Sequence, residues 1–211
     1  MIAIVIPTLD PSSEMVAQCR EAITGFYDGR TVVWQHDEHR EGFAVTCNRG
    51  AKEATDADVL VFLNDDTIPQ TGWLDALVAP LSNPEVGICG ARLTYPDGSL
   101  QHTGVLFRRT PLLEAYNRTT EADSGPVPAV TGACLAIRRE DFDTLGGFDE
   151  AFRNGYEDVD LCLRAWTGLR LRSWYCADSN VVHLESQSPG RFDHVAHNVD
   201  LLQRRWGWLE A

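Results

Sequence analysis

The sequence predicts an α/β fold with a mostly parallel central sheet flanked by helices, a small antiparallel hairpin and a C-terminal helix. In the first half of the chain, short apolar runs alternate with segments of helical periodicity, as in a right-handed βαβ wrap. The run at residues 58–63 is apolar at every position after its first. Such a run is typical of a strand that is buried on both faces of a sheet.

The elements of the first half follow from this alternation. Ser12 and Ser13 provide side-chain oxygens that can cap a helix, and the turn formers Pro69 and Gly72 precede another. Strands are predicted at residues 2–6, 31–35, 58–63 and 86–93, and helices at residues 12–26, 43–54 and 73–81.

The second half has a different pattern. A tight turn at residues 95–99 predicts the hairpin, and the polar, poorly periodic stretch at residues 108–128 predicts a mobile loop over a cleft. We expect a helix after the acidic cluster at residues 156–160. Further strands are predicted at residues 130–137, 171–176 and 180–184. The tail carries a helical apolar stripe of Val195, Val199, Leu202 and Trp206, which predicts a docking helix.

The composition excludes several functional classes. The 211 residues suit one domain, and a net charge of −13 argues against nucleic-acid binding. Six cysteines without a Cys-x-x-Cys pair indicate buried, reduced thiols. The N-terminal residues resemble a first strand more than a leader peptide, and no apolar run approaches the roughly 20 residues of a membrane span. We therefore expect a cytoplasmic protein with at most peripheral membrane association; the tail helix leaves a homodimer open.

Two acids follow the buried strand at residues 58–63. Asn64, Asp65 and Asp66 would lie at the carboxyl end of that strand, where α/β sheets bind their ligands. Mg²⁺ and Mn²⁺ are commonly held by one or two carboxylates together with substrate phosphates. The pattern indicates a divalent cation site, although a solvated turn that caps the next helix would show the same residues.

The second acidic cluster and one histidine extend this interpretation. Glu157 and Asp158 precede an amphipathic helix, whose positive end favours ionised carboxylates that can act as a general base. His183 ends an apolar run, and neutral imidazole is a ligand for Mn²⁺. A helix-start acid run and a structural histidine are the alternatives when each motif is taken alone.

The ordered set of motifs resembles family 2 glycosyltransferases of the GT-A fold, and most of all the bacterial rhamnosyltransferase-like branch that builds surface polysaccharides. The resemblance covers nearly the whole chain. It is carried by residues 4–8, 42–50, 62–67, 95–102, 131–134, 146–150 and 157–164 and by His183.

The resemblance implies roles for the matching positions. Asp66 corresponds to the metal-binding acid of the DXD motif, with Asp65 beside it near the metal and the ribose, and His183 to a further metal ligand. Asp158 corresponds to the catalytic base, and Glu157 to a residue that orients the acceptor. The implied cofactor is Mn²⁺ or Mg²⁺.

The same resemblance implies a nucleotide-sugar donor, dTDP- or UDP-linked, and a saccharide or lipid-linked acceptor. The implied donor contacts are Pro7, Thr8, Asp10, Asp37, Asn64 and Asp65. Two of them depart from the family pattern. Asn64 replaces the first acid of the DXD motif, and Asp37 lies one position beyond the His36 that follows the second predicted strand.

The implied organisation is a single GT-A domain over residues 1–211. Within it we expect a nucleotide-sugar-binding half at residues 1–93, an acceptor and catalytic half at residues 94–190, and a C-terminal docking helix at residues 191–211. The implied reaction is a metal-dependent, inverting sugar transfer.

Three other functions are alternatives to sugar transfer. A nucleotidyltransferase would need a Gly-rich phosphate loop with basic residues after the first strand, and residues 8–11 have neither. A glycosidase with paired carboxylates needs no metal site. A catalytically degenerate GT-A domain that binds a nucleotide sugar or a partner is the main alternative, because Asn64 shortens the acidic motif.

Overall fold

The computed structural model describes residues 1–24, 30–185 and 192–209. Its strands are β1 (Ile2–Thr8), β2 (Thr31–His36), β3 (Val59–Leu63), β4 (Thr67–Pro69), β5 (Val86–Thr94), β6 (Leu100–His102), β7 (Val105–Arg109), β8 (Leu113–Asn117), β9 (Gly125–Val127), β10 (Cys134–Arg138) and β11 (Arg172–His183). Its α-helices are α1 (Glu14–Thr24), α2 (Phe43–Glu53), α3 (Trp73–Val78), α4 (Arg139–Thr144), α5 (Glu157–Arg164) and α6 (Val195–Trp206). A 3₁₀ turn at Ala79–Ser82 follows α3, and a π-helical turn at Ala165–Leu169 follows α5.

The described strands form a nine-stranded central sheet in the order β2-β1-β3-β10-β5-β11-β4, with β6 added to β5 and β9 added to β11. The pairs β1–β2, β1–β3 and β5–β11 are parallel, whereas β10 runs antiparallel between β3 and β5. The predicted α/β fold with a mostly parallel sheet and flanking helices is confirmed.

Buried apolar side chains cover both faces of this sheet. On one face, Phe62 packs against Phe142 and Phe148, with ring centroids 5.1 and 4.8 Å apart. On the other face, Trp73 and Leu77 of α3 are fully buried against strand residues. All six cysteines are buried with free thiols, as predicted. No helix in the described part of the chain is long and apolar enough to span a membrane.

The first half follows the predicted order, with small differences at the element ends. The third predicted helix is shorter than expected, because Pro80 converts its end into the 3₁₀ turn. The predicted end of the first helix, near residue 26, lies outside the described residues. The turn at residues 95–99 joins β5 to β6 as a hairpin, as predicted.

The prediction of a mobile loop at residues 108–128 is wrong. Strands β7 and β8 form a separate antiparallel sheet, and β9 pairs with β11. Arg108 on β7 lies opposite Glu114 on β8, and their side chains form an ion pair at 2.5 Å. The polar residues are therefore the exposed positions of a hairpin, which masked the strand signal.

Two strand predictions also need correction. The segment predicted at residues 130–137 becomes a strand only from Cys134, because residues 130–133 turn toward α5. The separate strands predicted at residues 171–176 and 180–184 are one strand, β11, with a register shift between Cys176 and Asn180.

The C-terminal helix is confirmed, but its buried stripe differs from the prediction. The buried residues of α6 are Asn198, Leu202 and Trp206, whereas Val195 is exposed and Val199 is only partly buried. Asn198 is buried because its side-chain amide bonds both backbone groups of Arg153. The apolar pattern alone could not show that a polar residue would face the domain.

Candidate active site

The carboxyl ends of three parallel strands meet at one edge of the sheet. Thr8 ends β1 opposite His36 of β2, and β3 pairs with β1 in the same direction and ends at Leu63. Pro7 and Thr8 lie at this edge, Asp10 comes two residues after Thr8, and Asn64 follows β3. These residues occupy the position where open α/β sheets bind ligands.

Asp66 and His183 come together through strand pairing. Asp66 immediately precedes β4, and His183 is the last residue of β11; these strands are antiparallel, with His183 opposite Thr67. The backbone N–H of Leu184 also donates to the Asp66 carbonyl at 2.9 Å. As a result, His183 Nε2 lies 3.1 Å from Asp66 Oδ1, and both side chains are buried.

Asp65 faces the first strand. Burial raises the pKa of the Asp65 carboxyl, the nearby Thr8 hydroxyl lowers it, and the neighbouring Asp66 raises it. Asp10 is exposed and accepts hydrogen bonds from Ser12 N–H at 2.9 Å and from the Ser12 hydroxyl at 2.6 Å. These bonds lower the pKa of Asp10 and favour a negative charge at this edge of the sheet.

The backbone of residues 131–133 connects the acidic turn to Asp158. Asn64 N–H donates to the Ala133 carbonyl at 2.9 Å, and Gly132 N–H donates to Asp158 Oδ2 at 2.7 Å. Gly132 has little room for a side chain, since a Cβ there would lie 3.1 Å from Phe43 Cζ. The structure therefore brings together the first and second acidic clusters at the same edge.

Asp158 sits in the first turn of α5 and is partly exposed. Its Oδ1 accepts a hydrogen bond from Val159 N–H at 2.7 Å. Burial raises the pKa of the Asp158 carboxyl above its ordinary value, while the bonds from Gly132 and Val159 and from the Thr131 hydroxyl act in the opposite direction. A carboxylate with a raised pKa is a better proton acceptor than an exposed one.

The carboxyl groups of Glu157 and Asp37 accept hydrogen bonds from backbone N–H groups of nearby loops. Glu157 is buried, and its Oε2 accepts a hydrogen bond from Gly155 N–H at 2.6 Å. Asp37 is also buried, and its two carboxyl oxygens accept hydrogen bonds from Glu41 N–H and Gly42 N–H at 2.8 and 2.9 Å. Asp37 thus orders the loop that leads into α2, and its own N–H donates to the Thr8 carbonyl at 2.8 Å.

Two neighbours of His183 received no role from the sequence. Gln101 on β6 places its Oε1 2.6 Å from His183 Nδ1. His102 is 1% exposed, and its Nδ1 lies 3.3 Å from Asn117 Oδ1. Burial lowers the pKa of His102 to about 4. Strand β6 pairs with β5, and β5 pairs with β11. Only this strand order could have identified the contact between Gln101 and His183.

The donor set at Asp66 and His183 is suited to a divalent cation. A carboxylate oxygen and an imidazole nitrogen are both accepted by Mn²⁺. Adjacent ligands of an octahedral ion with bonds of 2.1 Å lie about 3.0 Å apart, by the geometry of such a site. The 3.1 Å separation between Asp66 Oδ1 and His183 Nε2 fits that spacing. Within residues 1–24, 30–185 and 192–209, no group of three or more His, Cys, Asp or Glu side chains forms a complete metal site.

A concave surface lies away from the acidic edge. It is an open apolar groove of about 610 Å³, and its lining includes Phe107, Tyr116, Leu163, Trp166 and Leu209. None of the site residues predicted from the sequence lines this groove. The acidic edge, rather than the groove, carries the chemistry-bearing side chains.

Comparison with known proteins supports the predicted resemblance. Residues 5–146, more than half of the chain, match the sequence model of the family described as Glycosyl transferase family 2. The chain is 35% identical over 165 residues to the O-antigen biosynthesis protein RfbC of Myxococcus xanthus. It is 30% identical over 179 residues to an N-acetylglucosaminyl-diphospho-decaprenol L-rhamnosyltransferase of Mycobacterium tuberculosis.

These relatives are longer than the chain. The matched region covers 72% of the chain but 13% of RfbC, and 73% of the chain but 58% of the rhamnosyltransferase. Among solved structures, GalNAc-T7 with UDP, GalNAc and Mn²⁺ superposes with a TM-score of 0.72 at 17% identity, over 96% of the chain and 47% of that protein. The structural likeness supports the GT-A fold.

Proposed function

The chain belongs to glycosyl transferase family 2, and we propose that it transfers a sugar from a nucleotide-diphosphate donor to a hydroxyl group of a saccharide or lipid-linked acceptor. The observation that carries the proposal is the link between the two acidic clusters. Residues 131–133 bond both Asn64 and Asp158, and Asp66 lies beside His183 in the same region. A metal-assisted leaving group and a base for the acceptor would thus lie at one sheet edge.

The donor would bind at the carboxyl ends of β1, β2 and β3. The proposed contacts are Pro7, Thr8, Asp10, Asp37, Asn64 and Asp65, and the proposed metal ligands are Asp66 and His183, with Asp65 beside them. A bound Mn²⁺ or Mg²⁺ would supply positive charge for the diphosphate leaving group. Asp37 would contribute by ordering the loop at Glu41 and Gly42, since its carboxyl oxygens already bond that backbone.

Asp158 would act on the acceptor. Its carboxylate would accept the hydroxyl proton while the acceptor oxygen forms a bond to the anomeric carbon and the bond from that carbon to the diphosphate breaks. Attack from the face opposite the leaving group inverts the anomeric configuration in a single displacement. Glu157 would keep the start of α5 in place through its bond to Gly155 N–H.

The donor class can be narrowed by its nucleotide. One similar protein is named as a rhamnosyltransferase, and a structural neighbour was solved with UDP, so dTDP-rhamnose and UDP-sugars are the donors we propose to test first. Thermal unfolding should be followed with UDP, dTDP and GDP, each with Mn²⁺ and then with a chelator. We expect one nucleotide to raise the unfolding temperature only when the metal is present. No shift with any nucleotide would contradict the donor site and favour a degenerate binding module.

The base can be tested with one isosteric change. Asp158→Asn should reduce sugar transfer by at least 100-fold, in line with the usual contribution of a general base of about 10²–10⁴-fold. Nucleotide binding with Mn²⁺ should stay near that of the unchanged protein. Asp56→Asn is the matched control, because Asp56 is exposed in the loop before β3. Loss of binding together with transfer in Asp158→Asn would indicate a structural role instead.

A further inference from the structure

Gln101 is a buried polar residue in contact with the proposed metal ligand His183. It lies at the centre of β6, which pairs with β5, and its side chain reaches the end of β11. The side chain is buried, with 6% of the residue exposed. Its Oε1 lies 2.6 Å from His183 Nδ1, which is a short hydrogen bond.

The orientation of the Gln101 amide follows from its other neighbours. Its Nε2 lies 3.5 Å from the His183 backbone carbonyl and 3.5 Å from Glu185 Oε2. Both of these oxygens can only accept hydrogen bonds when the carboxyl is ionised. The amide nitrogen must therefore face them, and the amide oxygen must face the imidazole ring.

This orientation places a proton on Nδ1 of His183. The amide oxygen of Gln101 can only accept, so Nδ1 must donate. In a neutral imidazole with the proton on Nδ1, the lone pair is on Nε2. Nε2 is the atom that lies 3.1 Å from Asp66 Oδ1, so a nitrogen lone pair and a carboxylate oxygen face the same small space.

We propose that Gln101 is a positioning residue that holds His183 in the tautomer and ring orientation needed to bind the divalent cation. This inference rests on the proposed function, because it concerns the same metal site. Metal-binding histidines usually donate their other ring N–H to a fixed acceptor, and loss of that acceptor typically lowers metal affinity by about 10–100-fold. Without Gln101 Oε1, the proton can move to Nε2 and bond to Asp66, which would compete with the metal.

The first experiment measures binding of Mn²⁺ alone, by the paramagnetic resonance signal of the free ion. Gln101→Met keeps the length of the side chain and removes both polar atoms; it should weaken Mn²⁺ binding by about 10–100-fold. Gln70→Met is the matched control, because Gln70 is exposed and its side-chain amide donates to the nearby Ile68 carbonyl at 2.8 Å. The control should retain the original affinity.

A second pair of variants separates positioning from general damage to the fold. In a His183→Ala background, Gln101→Met should cause no further loss of Mn²⁺ affinity, because its effect passes through the imidazole. The double variant Gln101→Glu with Glu185→Gln exchanges the amide and the carboxylate, so an oxygen still faces Nδ1 and the net charge is unchanged. It should recover at least half of the lost binding free energy, whereas a purely structural role predicts no recovery.

The outcomes distinguish this inference from the function on which it rests. If His183→Ala leaves Mn²⁺ affinity unchanged, the proposed metal site is wrong, and the inference falls with it. If His183→Ala weakens binding but Gln101→Met does not, only the role of Gln101 is overturned. Equal losses from Gln101→Met with and without His183 would also overturn it, because they show an effect independent of the imidazole.

Discussion

The Asp158 carboxyl is subject to opposing influences on its pKa. Burial raises the pKa, and the N–H groups of Gly132 and Val159, both at 2.7 Å, lower it together with the Thr131 hydroxyl. Burial is the larger effect, so the carboxyl loses its proton at a higher pH than an exposed aspartate. If Asp158 is the base, transfer must decline on acidification as this group becomes protonated.

The Thr131 hydroxyl beside Asp158 can be removed by a nearly isosteric change. Thr131→Val removes a hydrogen bond that favours the charged form of Asp158, so the pKa should rise further. The acid side of the profile of kcat/KM against pH should move to higher pH. Thr55→Val, in an exposed loop, should leave the profile unchanged. Nucleotide binding with Mn²⁺ should be measured over the same pH range, so that metal release is not mistaken for protonation of the base.

The sequence predicts the positions of these side chains better than it predicts their contacts. Asp37 and Glu157 could be placed near a strand end and at a helix start because those positions follow from local periodicity. Their hydrogen bonds to Gly42 and Gly155 depend on loop conformation, which the pattern does not encode. The contact between Gln101 and His183 joins residues 82 positions apart and required the strand pairing.

At the scale of elements, the hairpin of β7 and β8 shows why a polar segment was mistaken for a loop. Part of its stability comes from α6, which lies far along the chain. Gln203 on α6 bonds both backbone groups of Leu113, and Arg109 donates to the carbonyls of Gly207 and Leu209. Local propensity contains no signal for such tertiary support.

Asp160 is the main polar attachment between α5 and α6. It is fully buried and accepts hydrogen bonds from Arg164 Nε at 2.6 Å and from Trp206 Nε1 at 2.9 Å. Arg205 approaches the same carboxylate at 3.2 Å and also pairs with Asp149 at 2.5 Å. Asp160 belongs to the second acidic cluster and lies two residues after the proposed base, but its contacts give it a structural role.

We therefore predict that Asp160→Ala is strongly destabilising. Removing one member of a buried, hydrogen-bonded ion pair typically costs about 3–5 kcal/mol, and partial exposure of Arg164 and Arg205 favours about 3 kcal/mol here. Asp200→Ala is the matched control on α6, since its pair with Arg204 is exposed on both sides and should contribute less than about 1 kcal/mol. Urea unfolding measures both free energies. Similar small losses from the two variants would show that Asp160 does not anchor the helix.

At the scale of the whole molecule, the site depends on a sheet that interleaves both halves of the chain. Strand β10 lies between β3 and β5, and β11 lies between β5 and β4. The βαβ rules predict the arrangement of β1, β2 and β3, but they do not determine where later strands insert. The division into residues 1–93, 94–190 and 191–211 thus remains a prediction about function. The α/β fold class was predicted from periodicity. The GT-A fold and the roles of the site residues were predicted from the resemblance between motifs.

The net charge of −13 leads to a prediction about the stability of the whole protein. An excess of like charge destabilises a compact state by self-repulsion, and salt screens charges over a distance of about 8 Å at physiological ionic strength. Increasing NaCl from 20 to 200 mM at pH 7, in the presence of chelator, should therefore raise the unfolding temperature. A gain of about 1 kcal/mol corresponds to a rise of about 2–4 °C for a protein of this size.

The structure also contains attractive pairs, such as those of Arg205 with Asp149 and of Arg164 with Asp160, and salt weakens attraction as well as repulsion. Because these pairs are partly buried, they are screened less than the exposed excess of acidic groups. The salt effect should shrink as the pH is lowered toward the isoelectric point of about 4.8, where the excess negative charge is lost. A fall in unfolding temperature with salt at pH 7 would show that attractive pairs, rather than net repulsion, dominate the electrostatics of this fold.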